Sequence, residues 1–428
     1  MTPDSGKAGS GKAGSGKAGS GKAGSGTTGV ASVALQEDVQ AILDRGVGNG
    51  DVAGAAAQVV TRDGLLAAAA AGVRSADAAA RAGPMTLDTV CWIASMTKAI
   101  TGAAAMQLVE RGELHLDAPA SSVLPSLADA DVLEGFDDDG QPLVRPARAP
   151  ITLHHLLTHT SGFGYQYWSE TLRRCQRATG TDSMTSGELV TLETPVPALF
   201  DPGERWLYGI SIDFVGRMVE EVSGRRLDDY LDEHILGPLG MDSTAFSLSD
   251  ELQARRAVIH TRLPDGSLTV AEAAPSPEPE YLSGGGGLFS TVEDYCRFLQ
   301  MILGRGSLHG VEVLRPETVD QMTVNHIGDL RVVALPTAMP ELTGDAEFFP
   351  GAAKTWGLTF QINEEPLPTG RPAGGLMWAG IANSFFWIDM GNQVAGTYIS
   401  QQLPFADPRS YQLYTDIETA TYEYLSSI

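Results

Sequence analysis

Apolar runs with strand character lie near both ends of this 428-residue chain, and a long helix-rich stretch separates them. Towards the N-terminus, 54–61 and 65–72 flank Asp63-Gly64, a turn pair that signals a hairpin. Towards the C-terminus, 356–362, 385–389 and 393–400 read as further strands. A single sheet assembled from the two chain ends, with helices between, follows. Helical patterns occupy 35–47, 151–159, 212–222, 227–236, 288–303 and 410–425, and one more runs from Ser95 to near Gly112. The division expected is an α/β subdomain from 27–116 and 286–428, with 117–285 as a mostly helical inserted subdomain.

Residues 1–26 repeat Ser-Gly-Lys-Ala-Gly and hold no apolar segment that could pack. They read as a flexible tether outside the fold. What remains is long enough for two connected subdomains or one large domain, and too long for a small binding module. The net charge is −24 although the tether is itself basic, which disfavours nucleic acid and anionic membranes as partners. No apolar run approaches the roughly 18 residues of a spanning helix. Cys91, Cys175 and Cys296 are too few and too scattered for a disulfide framework. Buried thiols in a reducing compartment, and hence a cytoplasmic location, are expected.

The segment Cys91-Trp92-Ile93-Ala94-Ser95-Met96-Thr97-Lys98 sets a nucleophile and a base one helical turn apart. Residues three apart share a helix face, so the Lys98 amine can approach the Ser95 hydroxyl. Free N–H groups at the helix start favour developing negative charge. Ser-x-x-Lys arises by chance about once in a few hundred residues, so the tetrapeptide alone is also consistent with an N-cap and a solvated lysine.

Two further elements change that balance. Asp201-Pro202-Gly203-Glu204-Arg205-Trp206-Leu207-Tyr208-Gly209 puts a tyrosine in a turn just before the helical pattern at 212–222. Gly374-Gly375-Leu376-Met377-Trp378-Ala379-Gly380-Ile381 is a glycine-rich approach to the strand around Phe385. With Leu156-Leu157-Thr158-His159-Thr160-Ser161-Gly162, Gly237-Pro238-Leu239-Gly240-Met241 and Gly285-Gly286-Gly287-Leu288-Phe289-Ser290-Thr291, these motifs stand in an order that resembles the serine β-lactamase and penicillin-binding-protein superfamily. The resemblance is strongest to family VIII carboxylesterases, which look like class C β-lactamases, and it spans about residue 35 to the C-terminus.

That resemblance implies an α/β plus all-α fold, with a central antiparallel sheet flanked by helices and an inserted helical subdomain. It implies Ser95 as nucleophile, Lys98 and Tyr208 as the proton-transfer pair, and Trp378-Ala379-Gly380 in the place of the Lys-Thr-Gly triplet of β-lactamases. The oxyanion donors it implies are the backbone N–H groups of Ser95 and Ile381. Either a desolvated neutral Lys98 or a Tyr208 phenolate would deprotonate Ser95, and the sequence leaves both open. Two departures matter. Trp378, which with Ala379 and Gly380 the resemblance places at the substrate, is neutral and bulky where β-lactamases carry a cation for the substrate carboxylate, so it suits an apolar acyl or alcohol group. Ile210 stands where class C enzymes carry the Asn of Tyr-x-Asn. Both favour esters over β-lactams, while Ser211 is open to a structural role or to partial replacement of that Asn.

Tyr165 and Trp168 follow the Ser161-Gly162-Phe163-Gly164 turn, and with Tyr167 they line an acyl pocket or belong to the core. His154, His155 and His159 lack the Glu of a His-Glu-x-x-His zinc site, and His159 reads as support for the following turn. Asp137-Asp138-Asp139-Gly140 lacks the alternating ligands of a calcium loop. No nucleophile elbow occurs outside the tether, and no histidine lies beyond His326, unlike an α/β-hydrolase. The expectation is a serine esterase acting on small to medium carboxylic esters through an acyl-Ser95 intermediate, without metal or organic cofactor. Amide or β-lactam hydrolysis on the same scaffold, acyl transfer to an alcohol, and a penicillin-recognising sensor that acylates without turnover are the competing readings.

Overall fold

The computed structural model describes residues 32–77, 83–181, 196–271, 276, 279 and 281–428, so the 1–26 repeat lies outside the described residues. Seven antiparallel strands form the main sheet. β1 (Gly54–Thr61) and β2 (Gly64–Gly72) come from the N-terminal hairpin. β3 (Lys354–Trp356), β4 (Gln361–Asn363), β5 (Leu376–Gly380), β6 (Ser384–Asp389) and β7 (Val394–Ser400) come from the C-terminal part. The order across the sheet is β3-β4-β5-β6-β7-β1-β2. The two ends of the chain therefore meet where β1 pairs with β7, from Ala55 opposite Ser400 to Thr61 opposite Val394.

Local sequence explains the hairpin but not all of its content. Thr61 pairs with Gly64, so the turn is Arg62-Asp63 and Gly64 already belongs to the second strand. That strand contains Ala67 to Ala71, residues of the highest intrinsic helix propensity. Pairing with β1 overrides the preference, and small side chains let helix α1 (Val33–Gly48) lie close on β1 and β2. The single strand expected over 356–362 is instead the hairpin of β3 and β4, turned by Gly357 and by Thr359 at φ +78°. The helix expected from Leu288 begins at Val292, because Thr291 caps it with its side chain on the Asp294 N–H. Phe289 and Ser290 form a short ladder with Cys91 and Trp92.

Further helices used below are α2 (Thr97–Glu110), α3 (Glu170–Thr179), α4 (Ser211–Ser223), α5 (Val292–Leu303) and α6 (Pro408–Ser427). α6 packs with α1 and α5 packs on β1 and β7. Every residue of β6 and β7 is buried, which requires cover on both faces of the sheet. The segment 227–236 is a short α-helix continued by a π-turn rather than one regular helix. The stretch 117–285 also holds two hairpins, Asp131–Phe136 with Pro142–Pro146 and His260–Arg262 with Leu268–Val270.

α2 is apolar or small on all sides, and every residue from Thr97 to Leu108 is buried. An amine placed at its second position has no route to bulk water, which matters below. At the far side of the sheet, Arg371 and Glu418 form an ion pair of 3.0 Å with both side chains fully buried. Arg371 also donates to the Leu376 carbonyl at the start of β5. Glu418→Gln is expected to cost about 3 kcal/mol of stability, because it leaves a buried guanidinium without its counter-charge. A urea unfolding midpoint unchanged from the parent would count against that role.

Candidate active site

Ser95 sits in a 3₁₀ turn, Ala94–Met96, that leads directly into α2. Ala94 has φ +45°, a conformation uncommon for a residue with a Cβ, so the turn before the serine is locally strained. Ser95 is half-buried while Ile93, Ala94, Met96 and Thr97 are buried, which leaves the serine as the reachable member of the turn. Gly380 at the end of β5 comes so close that a Cβ there would lie 2.3 Å from the Ile93 carbonyl oxygen. The glycine thus brings the end of β5, with Ala379 buried and Ile381 half-buried beyond it, against the serine turn.

The Lys98 amine lies 3.0 Å from Ser95 Oγ, 3.1 Å from the Tyr165 hydroxyl and 2.5 Å from the Gly285 carbonyl oxygen. Burial lowers its pKa from the usual lysine value to about 7, against the opposing pull of the Asp213 carboxylate. A neutral amine has two N–H donors and one lone pair. Gly285 O can only accept, and Tyr165 provides a second acceptor, so the lone pair is left for the Ser95 hydroxyl. These three contacts match the requirements of a base poised to take the serine proton.

Tyr208 is held on the other side. Its hydroxyl faces the Ser95 side chain and accepts the indole N–H of Trp378 at 3.0 Å. Burial pushes its pKa well above the ordinary tyrosine value, chiefly by desolvation, with Ser95 and Trp378 opposing. The phenol form is therefore favoured over phenolate, and the two open assignments separate: the amine suits the base and the phenol suits a proton carrier. The fully buried His159, itself at φ +56°, supports this arrangement. Its ring packs 4.6 Å from that of Tyr208, and its Nδ1 accepts the Gly209 N–H at 3.4 Å. Burial and the facing Lys98 lower its pKa well below the usual histidine value, so it is neutral.

Trp378 was expected to face substrate as an apolar wall. It is almost fully buried, its ring 4.6 Å from both Tyr208 and Trp356, and its N–H is committed to the Tyr208 hydroxyl. It also borders a recess of about 290 Å³, including its open mouth, along with Trp206, Leu335, Phe348 and Phe405. Trp168 is buried 5.6 Å from the Tyr208 ring, whereas the Tyr165 hydroxyl reaches the amine itself. Ser211 bonds to the Ser161 hydroxyl at 2.8 Å, which ties the Tyr208 segment to the Thr160-Ser161-Gly162 turn.

Three partners of Lys98 escaped sequence reasoning: the Tyr165 hydroxyl, the Gly285 carbonyl and the Asp213 charge. A signal for the last two was present in the four consecutive glycines 284–287. At Gly285 a Cβ would stand 2.1 Å from Asp213 Oδ2, so the run marks a close approach. Elsewhere, His155 closes a capping box with Thr152. Among the described residues no cluster could hold a metal ion, and no helix is long and apolar enough to cross a membrane.

A seven-stranded antiparallel sheet with a serine and a lysine one turn apart at its flank defines a class of acyl-transferring serine enzymes. The chain belongs to the β-lactamase family, whose model matches residues 39–421. It is 32% identical over 324 residues to lovastatin esterase of Penicillium rubens, covering 73% of this chain and 79% of that protein. It is 39% identical over 250 residues to the acyltransferase mokF of Monascus pilosus, covering 56% of this chain and 58% of that protein. In structure it is similar to a mutant of simvastatin synthase from Aspergillus terreus, with a TM-score of 0.79 and 29% identity over 92% of this chain and 96% of that one. The family comprises serine hydrolases and acyltransferases, and the fold is the β-lactamase and penicillin-binding-protein fold.

Proposed function

We propose that the protein is a carboxylesterase of the family VIII type that hydrolyses small to medium esters through an acyl-enzyme on Ser95. The observation that carries this reading is the buried Lys98 amine, 3.0 Å from Ser95 Oγ with a pKa lowered to about 7. In the first step Lys98 takes the hydroxyl proton as Ser95 Oγ attacks the ester carbonyl. The tetrahedral oxyanion is held by the backbone N–H groups of Ser95 and Ile381, and Tyr208 passes a proton to the departing alcohol. Water enters by the same route in reverse and releases the acid. Neither step calls on a metal or organic cofactor. Three free, buried cysteines are in keeping with the cytoplasmic location expected above.

Esters are favoured over β-lactams because the third motif offers an indole, and that indole is occupied by Tyr208. Losing a charge-assisted bond to the substrate carboxylate is worth about 1.5–3 kcal/mol, or roughly 10- to 150-fold. We therefore expect a short p-nitrophenyl ester to be turned over at least about 10-fold faster than a chromogenic cephalosporin, and faster than the matching anilide because an amine is the poorer leaving group. Faster cephalosporin turnover would sink the esterase reading in favour of lactam hydrolysis. A single burst without turnover would point to a penicillin-recognising sensor. Acyl transfer to an alcohol is the second reading, favoured by relatives named as acyltransferases. It is scored in the same assay by adding an alcohol and comparing new ester with free acid.

A further inference from the structure

Asp213 lies in the first turn of α4, fully buried, and takes no part in the steps above. Its Oδ1 accepts the Ser283 hydroxyl at 2.5 Å and the Gly285 N–H at 3.2 Å. The carbonyl of that same Gly285 is the 2.5 Å partner of the Lys98 amine. One residue thus joins the carboxylate to the amine, its N–H bonding to Asp213 and its C=O to Lys98. The loop has little freedom to move away. Gly284 O accepts the Thr101 hydroxyl of α2 at 2.8 Å, and a Cβ on Gly284 would be 3.1 Å from the Gly216 Cα of α4.

We propose that Asp213 is the positioning residue of Lys98: it fixes the Gly285 carbonyl that aims the amine at Ser95, and its negative charge holds the amine's proton affinity in a working range. The proposal rests on the reading of Lys98 as the base for Ser95. Without a nearby anion, burial in the apolar surroundings of α2 would weaken the amine as a base until it no longer competed for the serine proton. The groups facing Lys98 are Asp213, Tyr165, Tyr208 and the neutral His159. Those facing Asp213 are Lys98, Ser283 and the hydroxyls of Tyr165, Tyr167, Tyr208 and Tyr281. Burial raises the Asp213 pKa too, opposed by the Lys98 charge and the bonds from Ser283 and Gly285, while the tyrosines are raised further from an already high value, so Asp213 is the most acidic group of the cluster.

The chain contains six lysines, four of them in the tether, with Lys98 and Lys354 elsewhere. The titration of Lys98 is therefore readable by NMR on protein carrying ¹³C-lysine, with the signal assigned by its loss in Lys98→Met. Asp213→Asn keeps an acceptor for Ser283 and Gly285 and removes the charge. The expected result is a Lys98 midpoint lowered by about one pH unit, with the acid limb of kcat/KM moving by the same amount. An unmoved midpoint in a folded Asp213→Asn protein overturns the proposal, since a purely structural role would lower kcat without shifting it. Asp213→Ser is the second variant should Asn not fold, and loss of the far-UV circular dichroism signal in both assigns Asp213 to folding alone and also overturns it. A parent protein with no ester turnover sinks the esterase reading instead, and leaves the NMR midpoint as the test of Asp213.

Discussion

Ester turnover is expected to fall by about 10⁴-fold or more when Ser95 is replaced by Ala, with no burst of product and with folding intact. Removal of the nucleophile from such a site leaves only the acceleration that binding and oxyanion donors provide. The change deletes one oxygen from a half-buried side chain, so thermal stability should stay within about 0.5 kcal/mol of the parent. The check is a steady-state and burst assay on short p-nitrophenyl esters, beside the melting temperature. Activity within tenfold of the parent would remove Ser95 from the chemistry and reopen the search for a nucleophile.

The second large effect concerns Lys98. Lys98→Met and Lys98→Arg are both expected to lower kcat/KM by about 10³-fold at pH 8, a magnitude within the range of positioned general bases. The two fail for different reasons. Met has no lone pair to offer, and Arg keeps the positive charge but does not deprotonate in the working range. The sign of the pH dependence follows from the lowered pKa of about 7. Below it the amine is protonated and its lone pair is gone, so the parent loses about tenfold in kcat/KM per pH unit on the acid side. Above it the amine is free and the rate levels off. A Lys98→Arg protein that keeps most of its activity would transfer the role of base to Tyr208 as phenolate, against the burial that raises its pKa.

The lysine can hold this state because the fold denies it water. Its helix is buried from Thr97 to Leu108, and its three polar contacts come from three separate parts of the chain. A solvated lysine at the same spacing from a serine would keep its ordinary pKa and stay protonated at neutral pH. The tetrapeptide is thus a necessary local geometry that gains chemical meaning only from its surroundings. Asp201 is buried as well but has opposite charges beside it, and pairing with Arg145 and bonding from the Arg148 N–H hold its carboxyl down at about 2.

Features governed by neighbours in the sequence were legible there. The N-terminal hairpin followed from two apolar runs about a turn pair, and the Ser95 to Lys98 contact followed from helical spacing. Tyr208 and the Trp378-Ala379-Gly380 strand came from motif order rather than from any local rule, and the structure brings both to the serine. The alanine run in β2 was readable as strand only because a turn and a partner strand flank it, since its own propensity points to helix.

By itself the sequence determined which chain segments are apolar with strand or helix period, where the turns fall, and that a serine and a lysine share one helix face. Only the tertiary structure decided which groups meet that lysine. The Tyr165 hydroxyl reaches it across 67 residues and the Gly285 carbonyl across 187, while Trp378 reaches Tyr208 across 170. Such contacts are set by how the sheet closes between the chain ends and how α2 and α4 grip the glycine loop, and no local pattern encodes a distance of that kind. Burial, which changes an ordinary amine into a base at neutral pH, is likewise a property of the whole packed molecule, because it depends on what every other segment places around the side chain.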